Sequence, residues 1–173
     1  MKILDTPVAD LKIVQSVPHR DARGAFVRLF CAQELQPVLG HRQIAQINHS
    51  RTSHAGAVRG LHFQRPPYAE LKMVRCLRGR VWDVVVDLRT GSPTFLQWHA
   101  QKLAQDDAQM LVIPEGFAHG FQALEPESEF LYLDTRSTTR LPRAAFVTTT
   151  HGSPSPGHCR RRICHLVAWP IRC

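Results

Sequence analysis

The feature that most narrows the fold is a rhythm of short apolar runs, each closed by a turn signal. In "LKMVRCLRGRVWDVVVDLRTGSPT" (71–94), two strand-length runs are joined by "RG" and followed by a turn containing Gly91 and Pro93. Alternating, β-branched runs of this length read as strands. The pattern recurs in "LKIVQSV" (11–17), "AFVRLF" (25–30), "QIAQINHS" (43–50), "AVRGLHFQ" (57–64), "FLQWHAQKL" (95–103), "QMLVIPE" (109–115), "HGFQALE" (119–125) and "EFLYLDT" (129–135). Many short strands at close spacing, with no repeated strand–helix unit, predict an all-β sandwich or barrel. "CAQELQPVLG" (31–40) is the exception, a short helix near the N-terminus stopped by Gly40.

Other properties bound the partners. No apolar run approaches the ~20 residues of a membrane helix. Asp5 and Asp10 interrupt the stretch where a signal peptide would carry its apolar core. The expectation is a cytoplasmic protein with no membrane partner. Five cysteines at irregular spacing do not form a disulfide framework, and Cys31 and Cys76 read as reduced, strand-associated thiols. The net charge of +8 suggests nucleic acid until it is located. Residues 136–173 hold seven arginines and no Asp or Glu, which leaves about +1 for residues 1–135. That segment also lacks interleaved aromatics, so no nucleic-acid partner is expected.

"IPEGFAHGF" (113–121) resembles the second signature of the cupin jelly rolls, a P-x-G-x-x-H spacing after an apolar strand. Such barrels have an open mouth that holds a small ligand. A metal is not expected. "RGLHFQ" (59–64) offers one histidine where metal-binding cupins carry a pair, and His62 with His119 makes two ligands at most. Acid–base chemistry fits better. His62 lies on a predicted strand, with Arg59 just before it, Lys72 on the next strand and Tyr132 on the last. A neutral imidazole is a good base near pH 7, a tyrosine can return a proton, and an ammonium can steady an oxyanion. Together they suit proton abstraction beside a carbonyl. Each also has a plainer reading: a core histidine, an edge-strand charge and a packed ring.

These residues resemble the dTDP-4-dehydrorhamnose 3,5-epimerase family, the dTDP-4-keto-6-deoxyhexose epimerases. The matching segments are "DARGAF" (21–26), "QINHS" (46–50), "AVRGLHFQRPP" (57–67), "LKMVRCLRGRVWDVVVDLRTGSPTF" (71–95), "IPEGFAHGF" (113–121) and "FLYLDT" (130–135). The resemblance implies a cupin-like jelly roll, a homodimer, no cofactor and a dTDP-4-keto-6-deoxyhexose substrate. It implies that His62 removes the proton at C3 or C5, that Tyr132 reprotonates from the opposite face, and that Lys72 lies near the C4 oxygen of the enolate. Arg59 and His119 then match residues around the diphosphate and sugar. Arg23, Phe26, Gln46 and Asn48 match nucleotide contacts, some reaching the partner subunit. Two other readings share these motifs: a non-catalytic sugar-nucleotide binder and a ketoisomerase that forms the same enolate.

Two departures stand out. Arg28 occupies a position where the family commonly has glutamate. The family's base is oriented by an aspartate beyond a "WP" motif, whereas only Ile171, Arg172 and Cys173 follow Trp169–Pro170. The domain reading is therefore a jelly-roll epimerase domain over 1–135 and an atypical basic tail over 136–173, read in a shifted frame. Taking the last base of each permitted codon with the first two of the next, "AAFVTTTHGSPSPGHCRRRIC" (144–164) can encode "GGVRHDDPRLAIAWPLPPPYM". "DDP" followed by "AIAWP" resembles the family's own continuation. Weak activity of this chain is the expected consequence.

Overall fold

A computed structural model describes residues 1–137 and the backbone of residues 144 and 145. The tail and its "WP" motif, from residue 138 onward, otherwise lie outside the described residues. Two antiparallel sheets face each other. The first sheet takes β1 (Lys2–Asp5), β2 (Lys12–Gln15), β10 (Gln109–Ile113), β7 (Lys72–Arg78), β12 (Ser128–Asp134) and β5 (Gln46–Thr52), in that spatial order. The second takes β13 (Ala144–Ala145), β6 (Val58–Phe63), β11 (Phe117–Ala123), β8 (Arg80–Asp87) and β9 (Trp98–Ala104). A separate hairpin pairs β3 (His19–Asp21) with β4 (Gly24–Phe26). This is the expected all-β, cupin-like jelly roll with a short N-terminal helix.

Period-two alternation builds the core between the sheets. Val74, Cys76, Leu111, Ile113 and Phe130 of the first sheet meet Val81, Val85, Leu103, Phe117 and Phe121 of the second. Helix α1 (Ala32–Leu39) covers the first sheet's outer face, burying Leu35 and Leu39 against Met73, Val112 and Leu133. Gly40 ends it at φ 60°, its N–H donating to the Gln36 carbonyl at 2.8 Å. The turn after β8 is tied by Asp87, whose carboxylate accepts from Ser92 Oγ at 2.6 Å, Thr94 Oγ1 at 2.8 Å and Arg89 Nη2 at 2.8 Å. Burial alone would raise the Asp87 pKa, but the hydrogen bonds from Arg89, Ser92 and Thr94 outweigh it and hold the carboxyl well below the usual range.

Some local expectations differ from the structure. Cys31 sits at the N-cap of α1 rather than on a strand. Cys76 is on β7, and burial pushes its thiol up to about 11. The strand anticipated over 25–30 ends at Phe26, and the polar "HRDARG" turn is largely the β3–β4 hairpin.

Candidate active site

Seven of the nine residues singled out in the sequence converge on one cavity of about 700 Å³. The first sheet supplies Gln46 and Asn48 from β5, Lys72 from β7 and Tyr132 from β12; the second supplies Arg59 and His62 from β6 and His119 from β11. The volume is of the size that binds drug-sized ligands. Arg23 and Phe26 are not brought to it. They sit on the β3–β4 hairpin, where Phe26 is 68% exposed and Arg23 pairs with Asp21 at 2.6 Å.

Arg59 and His62 are an odd number of residues apart, so a regular strand would point them to opposite faces. Both line the cavity because β6 carries an extra residue here. His62 partners His119, yet Arg59 partners Phe121, three residues back on β6 against two forward on β11. Glycines permit this bulge. Gly60 has φ +131°, and a Cβ there would lie 2.5 Å from the Cα of Gly120.

Hydrogen bonds fix the lining. Asp134 Oδ2 accepts from Asn48 Nδ2 at 3.0 Å and Gln46 Nε2 at 3.1 Å, which sets both amides. Arg59 donates from Nε to Thr52 Oγ1 at 3.1 Å and from Nη2 to the Arg51 carbonyl at 3.3 Å. The His119 ring meets buried Asp83 at 2.8 Å. Lys72 Nζ lies 3.1 Å from Glu70 Oε1. The Tyr132 hydroxyl is 3.4 Å from Ser50 Oγ, and burial pushes its pKa up to about 12. Tyr132 therefore keeps its proton at neutral pH, as a proton donor must.

Asp83, Glu70 and Asp134 were not anticipated from sequence. Asp83 had a signal, a carboxylate in the apolar run "VWDVVVD". Asp134 had another, lying two residues from Tyr132 on the same face of β12. Among the described residues no group of three His, Cys, Asp or Glu side chains is arranged to hold a metal ion.

Fold and cavity together define a jelly-roll protein with a cleft that both sheets line with imidazole, phenol, ammonium and guanidinium groups. Residues 5–144 match the family model for dTDP-4-dehydrorhamnose 3,5-epimerase. Enzymes of that name from Shigella flexneri and Salmonella typhimurium are 41% and 42% identical over 133 and 136 residues. These alignments cover 76% and 78% of this chain and 73% and 74% of theirs. The crystal structure of a Legionella pneumophila dTDP-6-deoxy-D-glucose-3,5-epimerase in complex with dTDP-4-keto-L-rhamnose matches at 32% identity and a TM-score of 0.84, covering 98% of this chain and 84% of that one. A Bacillus anthracis dTDP-4-dehydrorhamnose 3,5-epimerase with TDP and PPi bound matches at 34% identity and a TM-score of 0.80, covering 84% and 83%. This chain belongs to the dTDP-4-dehydrorhamnose 3,5-epimerase family. It is a sugar-nucleotide epimerase, acting at C3/C5 of a dTDP-4-keto-6-deoxyhexose in deoxysugar biosynthesis.

Proposed function

We propose that His62 is the base that removes the proton beside the C4 ketone and Tyr132 the acid that returns one to the opposite face. Lys72 stabilises the enolate oxygen between these steps. Arg59 and His119 hold the diphosphate and sugar, Arg59 with the planar fork that suits phosphate oxygens. Gln46 and Asn48, preset by Asp134, contact the nucleotide. The observation that carries this reading is that His62 and Tyr132 line one cavity from different sheets, as deprotonation and reprotonation on opposite faces require.

The family relationship implies an oligomer, and we propose a homodimer. Within the described residues the β3–β4 hairpin pairs only with itself and leaves Phe26 68% exposed. Among the described residues β5 is a sheet edge, and its Ile47 is 64% exposed. Exposed apolar side chains on a projecting hairpin and on an open edge favour association. Arg23 and Phe26 would then reach the partner's cavity. No helix among the described residues is long and apolar enough to cross a membrane. The free thiols of Cys31 and Cys76 suit the reducing cytoplasm, where we place the protein.

Proton NMR of the keto-sugar nucleotide in D2O tests the mechanism. Deuterium entering C3 or C5 with inversion is the expected result. Tight binding without exchange would make this chain a binder, and a moved carbonyl would make it a ketoisomerase.

A further inference from the structure

Beside the main cavity lies a recess of about 10 Å³, sharing His62, Gln64, Glu70, Lys72 and His119 with it. That is room for roughly one oxygen-sized group. Two polar atoms on its walls lack hydrogen-bond partners among the described residues: Glu70 Oε2, an acceptor, and Gln64 Nε2, a donor. Both are buried, and the Glu70 side chain is only 9% exposed. Orphaned polar atoms of this kind cost free energy unless a ligand or water meets them. The combination is selective. A hydroxyl donates one hydrogen bond and accepts others, so one hydroxyl satisfies both atoms. A ketone oxygen would satisfy Gln64 alone, and a methyl neither.

The neighbouring ion pair identifies the hydroxyl. Glu70 Oε1 is 3.1 Å from Lys72 Nζ, and Lys72 is placed at the C4 oxygen by the reading above, on which this inference rests. C4 of a 4-keto-6-deoxyhexose has two ring neighbours. C5 carries a methyl and C3 a hydroxyl. The polar group that reaches Glu70 when Lys72 holds the C4 oxygen is therefore the C3 hydroxyl. We propose that Glu70 and Gln64 bind the C3 hydroxyl, Glu70 accepting a hydrogen bond from it and Gln64 donating one to its oxygen, and so set how readily the enzyme acts at C3. Inversion at C3 swings that hydroxyl out of the recess. The contact thus distinguishes the two C3 configurations, and it affects C5 exchange only through its share in substrate binding.

The test reads both carbons in one sample. Wild-type enzyme, Glu70→Gln and Gln64→Leu are each mixed with the keto-sugar nucleotide in D2O, and exchange at C3 and C5 is followed by proton NMR. Glu70→Gln should change the ratio of C3 to C5 exchange rates by about tenfold or more, the usual span for a hydrogen bond to a charged group, and Gln64→Leu, which removes a neutral one, by about three- to tenfold. Wild-type enzyme should also lose about tenfold in kcat/KM for C5 exchange when the substrate lacks its C3 hydroxyl, a comparison that needs no variant to fold. A ratio unchanged in both variants, or a 3-deoxy substrate handled as well as the parent, would overturn the inference and leave the recess a water site. Absence of exchange in the wild-type enzyme would instead overturn the epimerase mechanism itself, and this inference with it.

Discussion

His62 and His119 are direct register partners on β6 and β11, so their two imidazoles emerge side by side on the cavity face of one sheet. The His119 ring is held at 2.8 Å by Asp83, whose side chain is fully buried. A ring fixed this way offers a ligand a rigid contact beside the proposed base, His62. Asp83→Asn keeps the shape and removes the charge. It should raise KM about tenfold, with a smaller effect on kcat, as expected for loss of a positioning interaction. A fall in kcat at unchanged KM would show that Asp83 serves the chemical step instead.

Tyr132 offers a separate readout. Exchange needs only a base, whereas inversion needs a donor on the other face. Tyr132→Phe should therefore lose inverted product much faster than it loses deuterium exchange, and equal losses would reduce Tyr132 to a packing ring. Its raised pKa also marks stability. Burial holds the phenol's proton to higher pH in the folded state than the ordinary value of 10.0 in the unfolded chain. That contribution is complete below pH 10 and is lost as pH rises through about 12. Tyr132→Phe should flatten the alkaline stability loss in this window when unfolding is followed against pH.

Gly60 and Gly120 permit the bulge that turns Arg59 and His62 to the same side. A Cβ on Gly60 would lie 2.5 Å from backbone, at φ +131°. Gly60→Ala should cost about 2–3 kcal/mol, from strain and overpacking together. Activity should fall with it, because the bulge sets the direction of both side chains. Gly91 has nothing within 4 Å of a built Cβ, so Gly91→Ala should stay within about 0.5 kcal/mol. Denaturant melts of the two variants give the comparison.

Much of this fold was legible in the sequence, for physical reasons that differ by element. The helix read from "CAQELQPVLG" spans Ala32–Leu39, because Gly40 takes the positive φ that ends it. The "RG" link between β7 and β8 also held, with Gly79 at φ +72°. β1 was missed because "KILD" is too short to show a period. β3 was missed because all three of its residues are exposed, and polar exposed strands look like turns. Within the site, His62, Lys72 and Tyr132 came from residue chemistry and family resemblance. Period-two reasoning would have separated Arg59 from His62, since an extra residue in a strand leaves no hydrophobic signature. Glu70 stayed hidden because a carboxylate in a loop reads as surface charge until its burial is known, whereas Asp83 showed itself only as a charge inside the apolar run of β8.

The shifted-frame reading of residues 136–173 stands as a proposal with a direct check. Resequencing the gene should find a single-base insertion or deletion near codon 136. The corrected chain should carry "DDP" followed by "AIAWP". An intact reading frame would end that proposal, and the jelly roll over 1–135 would be unaffected.

The most direct test of the central claim is deuterium incorporation at C3 and C5 by His62→Ala, measured by proton NMR in D2O alongside dTDP affinity. Removing the base should lower exchange at both carbons by about 10²–10⁴-fold, the span of an acid–base contribution, with dTDP affinity little changed. Exchange retained at the wild-type rate would contradict the account, because another group would then be removing the proton.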